Sequence, residues 1–208
     1  MKYLVTSPWW LRLCYPAKAE WHYPNAGKTL FLSFDDGPHP VITNQVLDSL
    51  KKYNANATFF CVGKNVATNP ETYRRILNEG HAVGNHSHHH LNGWKTDTAT
   101  YMADIRKAAA WIDSSLFRPP YGRIQPFQAY LLRKAKDPFR IIMWDVLSGD
   151  FDESKSADDC FQNIKKHARQ GSIIVFHDSE KAAPRMLGSL EQTLLYFSEK
   201  GYRFEAIH

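Results

Sequence analysis

From Thr29 to its end, the chain alternates short hydrophobic runs with longer amphipathic runs. The short runs are rich in β-branched and aromatic residues, and several are apolar throughout, which is typical of strands in a buried parallel sheet. Strands are predicted at 29–34, 57–61, 81–84, 116–118, 140–144, 172–176 and 202–206. Helices are predicted at 41–53, 70–79, 98–113, 125–135, 156–169 and 187–200.

This alternation predicts an α/β fold in which a parallel sheet either closes into a barrel or opens into a doubly wound sheet. Seven short units favour a distorted (β/α)7 barrel, because a regular eight-unit barrel needs about 250 residues and the chain has 208. No repeat or Gly/Ser-rich linker divides the chain, so a single domain is expected. The barrel is assigned to residues 28–208.

Residues 1–27 lie outside the alternating pattern and are rich in aromatic side chains. They are interpreted as an N-terminal extension that packs on the barrel. The aromatic residues expected to pack there are Trp9, Trp10, Trp21 and Tyr23.

Composition narrows the class of protein. With 43% hydrophobic and 23% charged residues, the chain is an ordinary globular protein, and no apolar run approaches the roughly 18 residues needed to span a membrane. The net charge of +5 is spread without a basic block, so nucleic acid is not an expected partner.

Two further features bear on the compartment. The three cysteines have no CxxC spacing and indicate neither a disulfide framework nor a thiolate zinc site; they are Cys14, Cys61 and Cys160. Pro8, Arg12 and Lys18 interrupt the first apolar residues, so no signal peptide is predicted and a cytoplasmic location is expected.

Polar residues collect directly after the predicted strands, at the sheet edge where parallel βα folds place their active sites. These residues are Asp35, Asp36, His86 to His90, Arg118, Tyr121, Asp145, Asp150, His177 and Asp178. Five of the seven strand ends carry ionisable groups, which indicates one shared site.

The adjacent carboxylates Asp35 and Asp36 point to a metal ion, because two buried like charges need a cation or a proton to offset them. A turn or helix N-cap is the alternative for an Asp-Asp-Gly sequence. His86 and His90 favour the metal, since in a helical turn two imidazoles four residues apart share one face. His88 and His89 lie in the same segment and remain alternative ligands, and a solvated histidine tract is the other interpretation.

Five motifs in order resemble those of the NodB-type polysaccharide deacetylases, carbohydrate esterase family four. They are FLSFDDGP, HSHHH, FRPPYG, WDVLSGDF and IIVFHD. The resemblance implies a distorted seven-unit barrel and removal of acetyl groups from an N-acetylated sugar.

The same resemblance implies a role for each matched residue. Asp36, His86 and His90 would hold the metal, and Asp35 would be the general base, paired with Arg118. The backbone N–H of Tyr121 would join the metal in binding the oxyanion, in a loop stiffened by Pro120. His177 would be the general acid, oriented by Asp150. Imidazole and carboxylate ligands suit zinc first, with cobalt, nickel or manganese as alternatives.

The chain departs from the family pattern at two positions that would line the acetyl pocket. Phe151 stands where the family usually has Trp, and Val175 where it usually has Leu. Both are smaller, so the pocket is expected to tolerate a propionyl group unless a neighbour such as Trp144 or Phe176 fills the space.

The predicted function is therefore metal-dependent deacetylation of a carbohydrate, with N-acetylglucosamine units of a glycan or oligosaccharide as the expected substrate. O-deacetylation of xylan, or hydrolysis of another amide by the same site, is the alternative within enzymes. A glycan-binding module without catalysis and a metal-storage protein are disfavoured, because every matched catalytic position is occupied. The sequence carries no indication of oligomeric state.

Overall fold

Each predicted strand has a counterpart in the structure, a computed structural model that describes residues 3–13, 15 and 18–208. The strands are β1 (Thr29–Asp35), β2 (Ala57–Cys61), β3 (Ala82–Asn85), β4 (Leu116–Phe117), β5 (Arg140–Ile141), β6 (Val146–Leu147), β7 (Ile173–His177) and β8 (Arg203–Phe204). The helices are α1 (Trp9–Leu13), α2 (Ile42–Lys52), α3 (Gly63–Thr68), α4 (Pro70–Asn78), α5 (Thr98–Ala109), α6 (Pro126–Lys134), α7 (Ala157–His167) and α8 (Ala183–Glu199). The short helices α1 and α3 were not predicted, because five or six residues show too little periodicity.

The strands pair in parallel in the order β5-β4-β3-β2-β1-β7-β6, and β8 pairs with the first residues of β1. This curved sheet, with helices outside it, confirms the expected distorted (β/α)7 barrel in one domain. All seven residues of β1, an interior strand of the sheet, are buried. Every strand of the main path ends at the same rim, which gathers the polar residues that follow the strands.

The barrel is distorted because one hydrophobic run crosses from one edge of the sheet to the other. The run at 140–144 was predicted as a single strand. The Ile142 N–H still donates to the Phe117 carbonyl of β4, but the Asp145 N–H donates to the Ile173 carbonyl of β7. The run is therefore divided between β5 and β6, which are not paired with each other.

The N-terminal segment bridges this gap. Thr6 forms an antiparallel bridge with Val146 on one side, and Glu20 forms a parallel bridge with Ile142 on the other. Trp21 is buried against the barrel, as expected, but Trp9 and Trp10 are 74% and 50% exposed. The expected packing role is wrong for Trp9, which lies largely exposed in α1, a helix none of whose residues is buried.

The interior of the barrel is filled by an apolar cluster below the rim. Its buried members are Phe31, Phe60, Leu116, Ile142, Ile173 and Ile207. Cys61 and Cys160 are free and buried, whereas Cys14 lies outside the described residues. Within the described part of the chain, no helix is long and apolar enough to cross a membrane.

Candidate active site

The turn after β1 directs two adjacent carboxylates to the same rim. Successive residues of a strand point to opposite faces, but Asp36 has a left-handed φ of 85°, which turns its side chain back beside Asp35. Asp tolerates this conformation better than most residues. The side-chain amide of Asn65 donates to the Asp36 carbonyl at 2.7 Å and fixes the turn.

Three ligand atoms converge above this turn. The Asp36 Oδ1 lies 3.2 Å from His90 Nε2 and 3.8 Å from His86 Nε2, and the ligand atoms of the three residues all lie within 4.8 Å of one another. His86 Nδ1 contacts the Arg118 carbonyl at 2.8 Å. A carbonyl only accepts, so Nδ1 carries the proton and Nε2 presents a lone pair. One carboxylate and two imidazoles fit a divalent cation, zinc among them.

The pKa shifts agree with this ligand set. Burial lowers the pKa of His86 to about 4, against the opposing charge of Asp35, and so keeps the ring in the neutral form that a metal ligand needs. Burial alone would raise the pKa of Asp36, but the hydrogen bond from His90 and the nearby histidines outweigh it. Its pKa falls well below the usual range, and Asp36 is ionised.

The segment from His86 to His90 is a loop, so the predicted helical turn is wrong. Ser87 and His90 both have left-handed φ values, 61° and 57°, which a helical turn does not contain. Asp104 of α5 holds the loop instead by accepting the backbone N–H groups of His88 and His89, each at 2.9 Å. The His89 ring also bonds to Asp104. Among the described residues, neither alternative histidine joins the three-ligand group.

Arg118 contacts both the metal-ligand candidate His86, through its carbonyl, and Asp35, the expected general base, through its guanidinium. Its guanidinium is fully buried and donates to Asp35 Oδ1 at 2.7 Å and to Ser33 Oγ at 2.8 Å. It also donates to two backbone carbonyls after β5 and lies 4.0 Å from the centre of the Phe60 ring. A buried charge with this many partners is fixed in place, so Asp35 is held in one orientation.

The loop after β4 presents an unused hydrogen-bond donor. Tyr121 has a left-handed φ of 59°, and no acceptor among the described residues takes its backbone N–H. Its ring is 61% exposed and meets the His90 ring edge-on, with centroids 4.6 Å apart. Pro120 is buried in the 3-10 turn that sets this conformation. The backbone N–H of Tyr121 is therefore left without an acceptor, in a residue whose ring contacts the metal-ligand candidate His90.

His177 and Asp150 form a pair at the opposite side of the site, in which the carboxylate is buried and the imidazole is partly exposed. Asp150 accepts the backbone N–H of His177 through Oδ2 and contacts the ring Nδ1 through Oδ1, both at 2.8 Å. Burial alone would lower the pKa of His177, but the charge and hydrogen bond of Asp150 outweigh it and raise the pKa to about 10. The imidazole is protonated at neutral pH, with Nε2 as its remaining donor.

Apolar residues border His177. The Phe151 ring stands edge-on to it, with centroids 5.4 Å apart. Val175 lies two residues earlier on β7, so strand alternation places it on the same face of the sheet, where it is buried. The second ring against Phe151 is Tyr3 of the N-terminal segment, 4.8 Å away. Sequence reasoning had no signal for Tyr3, because it precedes every motif.

Asp145, one of the strand-end candidates, is not in the site. Its carboxylate pairs with Arg12 at 2.7 Å and accepts the hydroxyl of Ser172, the residue before β7. It therefore lies at the opposite end of that strand. The reason is the split run described above, because Asp145 precedes β6 and does not follow a strand into the rim.

Asp178 holds the turn that carries Asp36 through a hydrogen bond to the next residue, Gly37. Its buried carboxylate accepts the Gly37 N–H at 3.0 Å and the Thr43 hydroxyl at 2.5 Å. A Cβ on Gly37 would lie 2.1 Å from Asp178 Oδ2, so only glycine fits there. Burial is the main cause that raises the pKa of Asp178 to about 7. Its place after His177 marked it as a strand-end residue, but its contact with the Asp36 turn was not predictable.

A three-ligand cation site beside a fixed carboxylate and an Asp–His pair defines the class of a metal-assisted hydrolase.

Comparison with known proteins agrees with this class. Residues 22–137 match the model of the family described as polysaccharide deacetylase. The chain is 31% identical over 194 residues to a peptidoglycan-N-acetylglucosamine deacetylase of Bacillus cereus, covering 90% of each. It is also 31% identical over 186 residues to the peptidoglycan-N-acetylmuramic acid deacetylase PdaC of Bacillus subtilis, covering 86% of this chain and 38% of PdaC.

The structure is similar to that of the Bc1960 peptidoglycan N-acetylglucosamine deacetylase, with a TM-score of 0.85 at 30% identity over 97% of this chain and 95% of the other. The chain belongs to the polysaccharide deacetylase family.

Proposed function

We propose that the protein hydrolyses the acetamido group of N-acetylated sugars in peptidoglycan glycan strands, releasing acetate and leaving a free amine. The observation that carries this proposal is the convergence of Asp36, His86 and His90, together with two ion pairs at the same rim, Asp35–Arg118 and Asp150–His177. The substrate class is supported by the names of the relatives, which act on N-acetylglucosamine or N-acetylmuramic acid.

Asp36, His86 and His90 would hold the metal, and zinc suits this ligand set first, with cobalt, nickel and manganese as alternatives. When bound, a divalent cation supplies Lewis acidity and lowers the pKa of a water molecule. Three protein ligands would leave positions open for water and substrate, as catalytic sites require.

Asp35 would take the proton of the attacking water. Arg118 holds Oδ1 of this buried carboxylate, which leaves Oδ2 to accept the proton. As water attacks the carbonyl carbon, negative charge develops on the carbonyl oxygen. The Tyr121 N–H donates to that oxygen, and this donor is preorganised because the turn at Pro120 already fixes it.

His177 would then protonate the nitrogen of the departing amine. Its pKa of about 10 keeps it protonated before this step, and Asp150 fixes the ring so that Nε2 carries the transferable proton. Phe151 and Val175 would receive the methyl group, since both are apolar and border His177. After each turnover the His177 imidazole regains a proton, and the Asp150 carboxylate stabilises the protonated ring.

Acetate release tests this proposal. Purified protein without a histidine tag is loaded with Zn2+, Co2+, Ni2+ or Mn2+ and incubated with peptidoglycan fragments, chitooligosaccharides and acetylated xylan. We expect metal-dependent acetate release and new free amines from the N-acetylated glycans. Release from acetylated xylan alone would assign the site to ester hydrolysis, and activity that survives chelation and dialysis would refute the metal role.

A further inference from the structure

An exposed aromatic ring stands near the site on a loop that the structure fixes firmly. Trp94 is 57% exposed, yet its indole N–H donates to the Ile124 carbonyl at 3.2 Å. The preceding carbonyl, of Gly93, accepts the side-chain amides of Gln125 at 2.9 Å and Gln128 at 3.0 Å. These hydrogen bonds restrain the orientation of the exposed indole. The ring is preorganised to receive a flat apolar surface.

A guanidinium without an acidic partner lies on that ring. Arg123 Cζ is 5.2 Å from the centre of the Trp94 ring. Among the described residues, no carboxylate lies within salt-bridge distance of Arg123. The acidic residue of the neighbouring loop, Asp97, caps α5 by accepting the Thr100 N–H at 3.0 Å. Arg123 therefore holds an uncompensated positive charge beside an open aromatic surface.

Both side chains lie at the rim that carries the metal ligands. Trp94 follows His90 by four residues in the loop after β3, and Arg123 follows Tyr121 by two in the loop after β4. β3 and β4 are neighbouring parallel strands, so their following loops share one edge of the sheet. The exposed Tyr121 ring contacts His90, and Tyr121 stands two residues before Arg123 in the same loop.

We infer that Trp94 and Arg123 form a subsite for the sugar next to the one that is deacetylated, and that this sugar carries a carboxylate. This inference rests on the proposed function and specifies its substrate. A pyranose ring has an apolar face that stacks on an indole, and a guanidinium binds a carboxylate better than it binds a neutral substituent. A lactyl carboxylate next to an N-acetylated sugar has this chemistry, whereas an uncharged chitooligosaccharide lacks it.

The test compares two probes that differ only in charge. Both are tetrasaccharides of alternating N-acetylglucosamine and N-acetylmuramic acid, one with free lactyl carboxylates and one with the same groups methyl-esterified. kcat and KM for acetate release are measured with wild-type protein and with Trp94→Ala, Trp94→Tyr, Arg123→Gln and Arg123→Lys. Arg106→Gln is the matched control, because it removes the same charge from the exposed side of α5, outside the subsite.

The wild type is expected to prefer the free acid by about three- to tenfold in kcat/KM. Arg123→Gln should abolish this preference, Arg123→Lys should retain part of it, and Arg106→Gln should retain it fully. Trp94→Ala should raise KM for both probes by about five- to tenfold with little change in kcat, and Trp94→Tyr should restore most of the affinity.

An equal preference in Arg123→Gln and wild type would overturn the inference, as would a loss of preference in Arg106→Gln. The proposed function is judged separately by whether the wild type releases acetate from either probe. Titration calorimetry of the two probes into Asp35→Asn reports on the subsite without turnover. If that variant binds both probes equally, the carboxylate subsite is refuted even where deacetylation is observed.

Discussion

The contact between Tyr3 and Phe151 gives a quantitative expectation for acyl selectivity. Three rings form a row from the N-terminal segment to the proposed general acid, with centroid distances of 4.8 Å from Tyr3 to Phe151 and 5.4 Å from Phe151 to His177. The space beside the smaller Phe151 is therefore taken by Tyr3. Neither of the neighbours suggested by the sequence occupies it.

Both suggested neighbours lie elsewhere. Phe176 stacks on Phe34 in the layer between sheet and helices, with centroids 5.5 Å apart. Trp144 packs against Gly122, where a Cβ would lie 2.4 Å from its ring, and against Trp21. Tyr3 is thus the residue whose removal should let Phe151 move away from the acyl group.

The size of the effect follows from the lost ring contact. An edge-to-face aromatic pair contributes about 0.5 to 1.5 kcal/mol beyond the area it buries, and one extra methylene is discriminated by at most about 1 to 3 kcal/mol. Tyr3→Ala should therefore reduce the preference for acetyl over propionyl by about two- to tenfold. Phe151→Trp should meet Tyr3 and cost about 1 to 3 kcal/mol of stability through overpacking.

The assay is kcat/KM for matched N-acetyl and N-propionyl substrates in wild type, Tyr3→Ala, Phe151→Trp and the double variant. The double variant should recover the stability lost in Phe151→Trp, because the removed ring makes room for the indole. Trp9→Ala is the control from the same segment, since that side chain is largely exposed. An unchanged acetyl-to-propionyl ratio in a folded Tyr3→Ala protein would refute the reasoning.

Three other expectations follow from the site. Asp35→Asn should abolish turnover and keep the metal, whereas His90→Ala should lose both, as elemental analysis and acetate release would show; equal metal loss would contradict the division of the Asp pair. Asp150→Asn removes the charge that raises the pKa of His177 and leaves its burial, so the alkaline limb of kcat/KM should move to lower pH. Gly37→Ala should displace the turn and weaken metal binding, measured by competition with a chelating dye.

The sequence predicted the elements and the residues of the rim well because both depend on local signals. Buried apolar runs mark strands of a parallel sheet, and ionisable residues directly after such runs mark the rim that carries the site. The structure brings Asp35, Arg118, His177 and Asp150 together from strand ends that are up to 142 residues apart in sequence. In a parallel sheet all strands end at the same edge, so residues at the strand ends come together regardless of the length of the connecting loops.

Local sequence signals did not predict the conformation of the loop from His86 to His90. The spacing of His86 and His90 fits a helical turn, but the left-handed residues Ser87 and His90 produce an equally close pair of rings by another path. What selects that path is Asp104, a carboxylate from α5 that accepts two N–H groups of the loop. A tertiary hydrogen bond of this kind has no counterpart in periodicity or spacing.

The N-terminal segment shows why residues outside every motif still shape the site. The family model matches from residue 22 onward, yet the Leu147 N–H donates to Val5 O and the Ser7 N–H donates to Asp145 O. This pairing runs along β6, the strand that leads into Gly149 and Phe151, and it carries Tyr3 to the rim. An edge strand of two residues gains its partner from this segment. The same bridge that closes the barrel thus supplies the outer wall of the candidate acyl pocket.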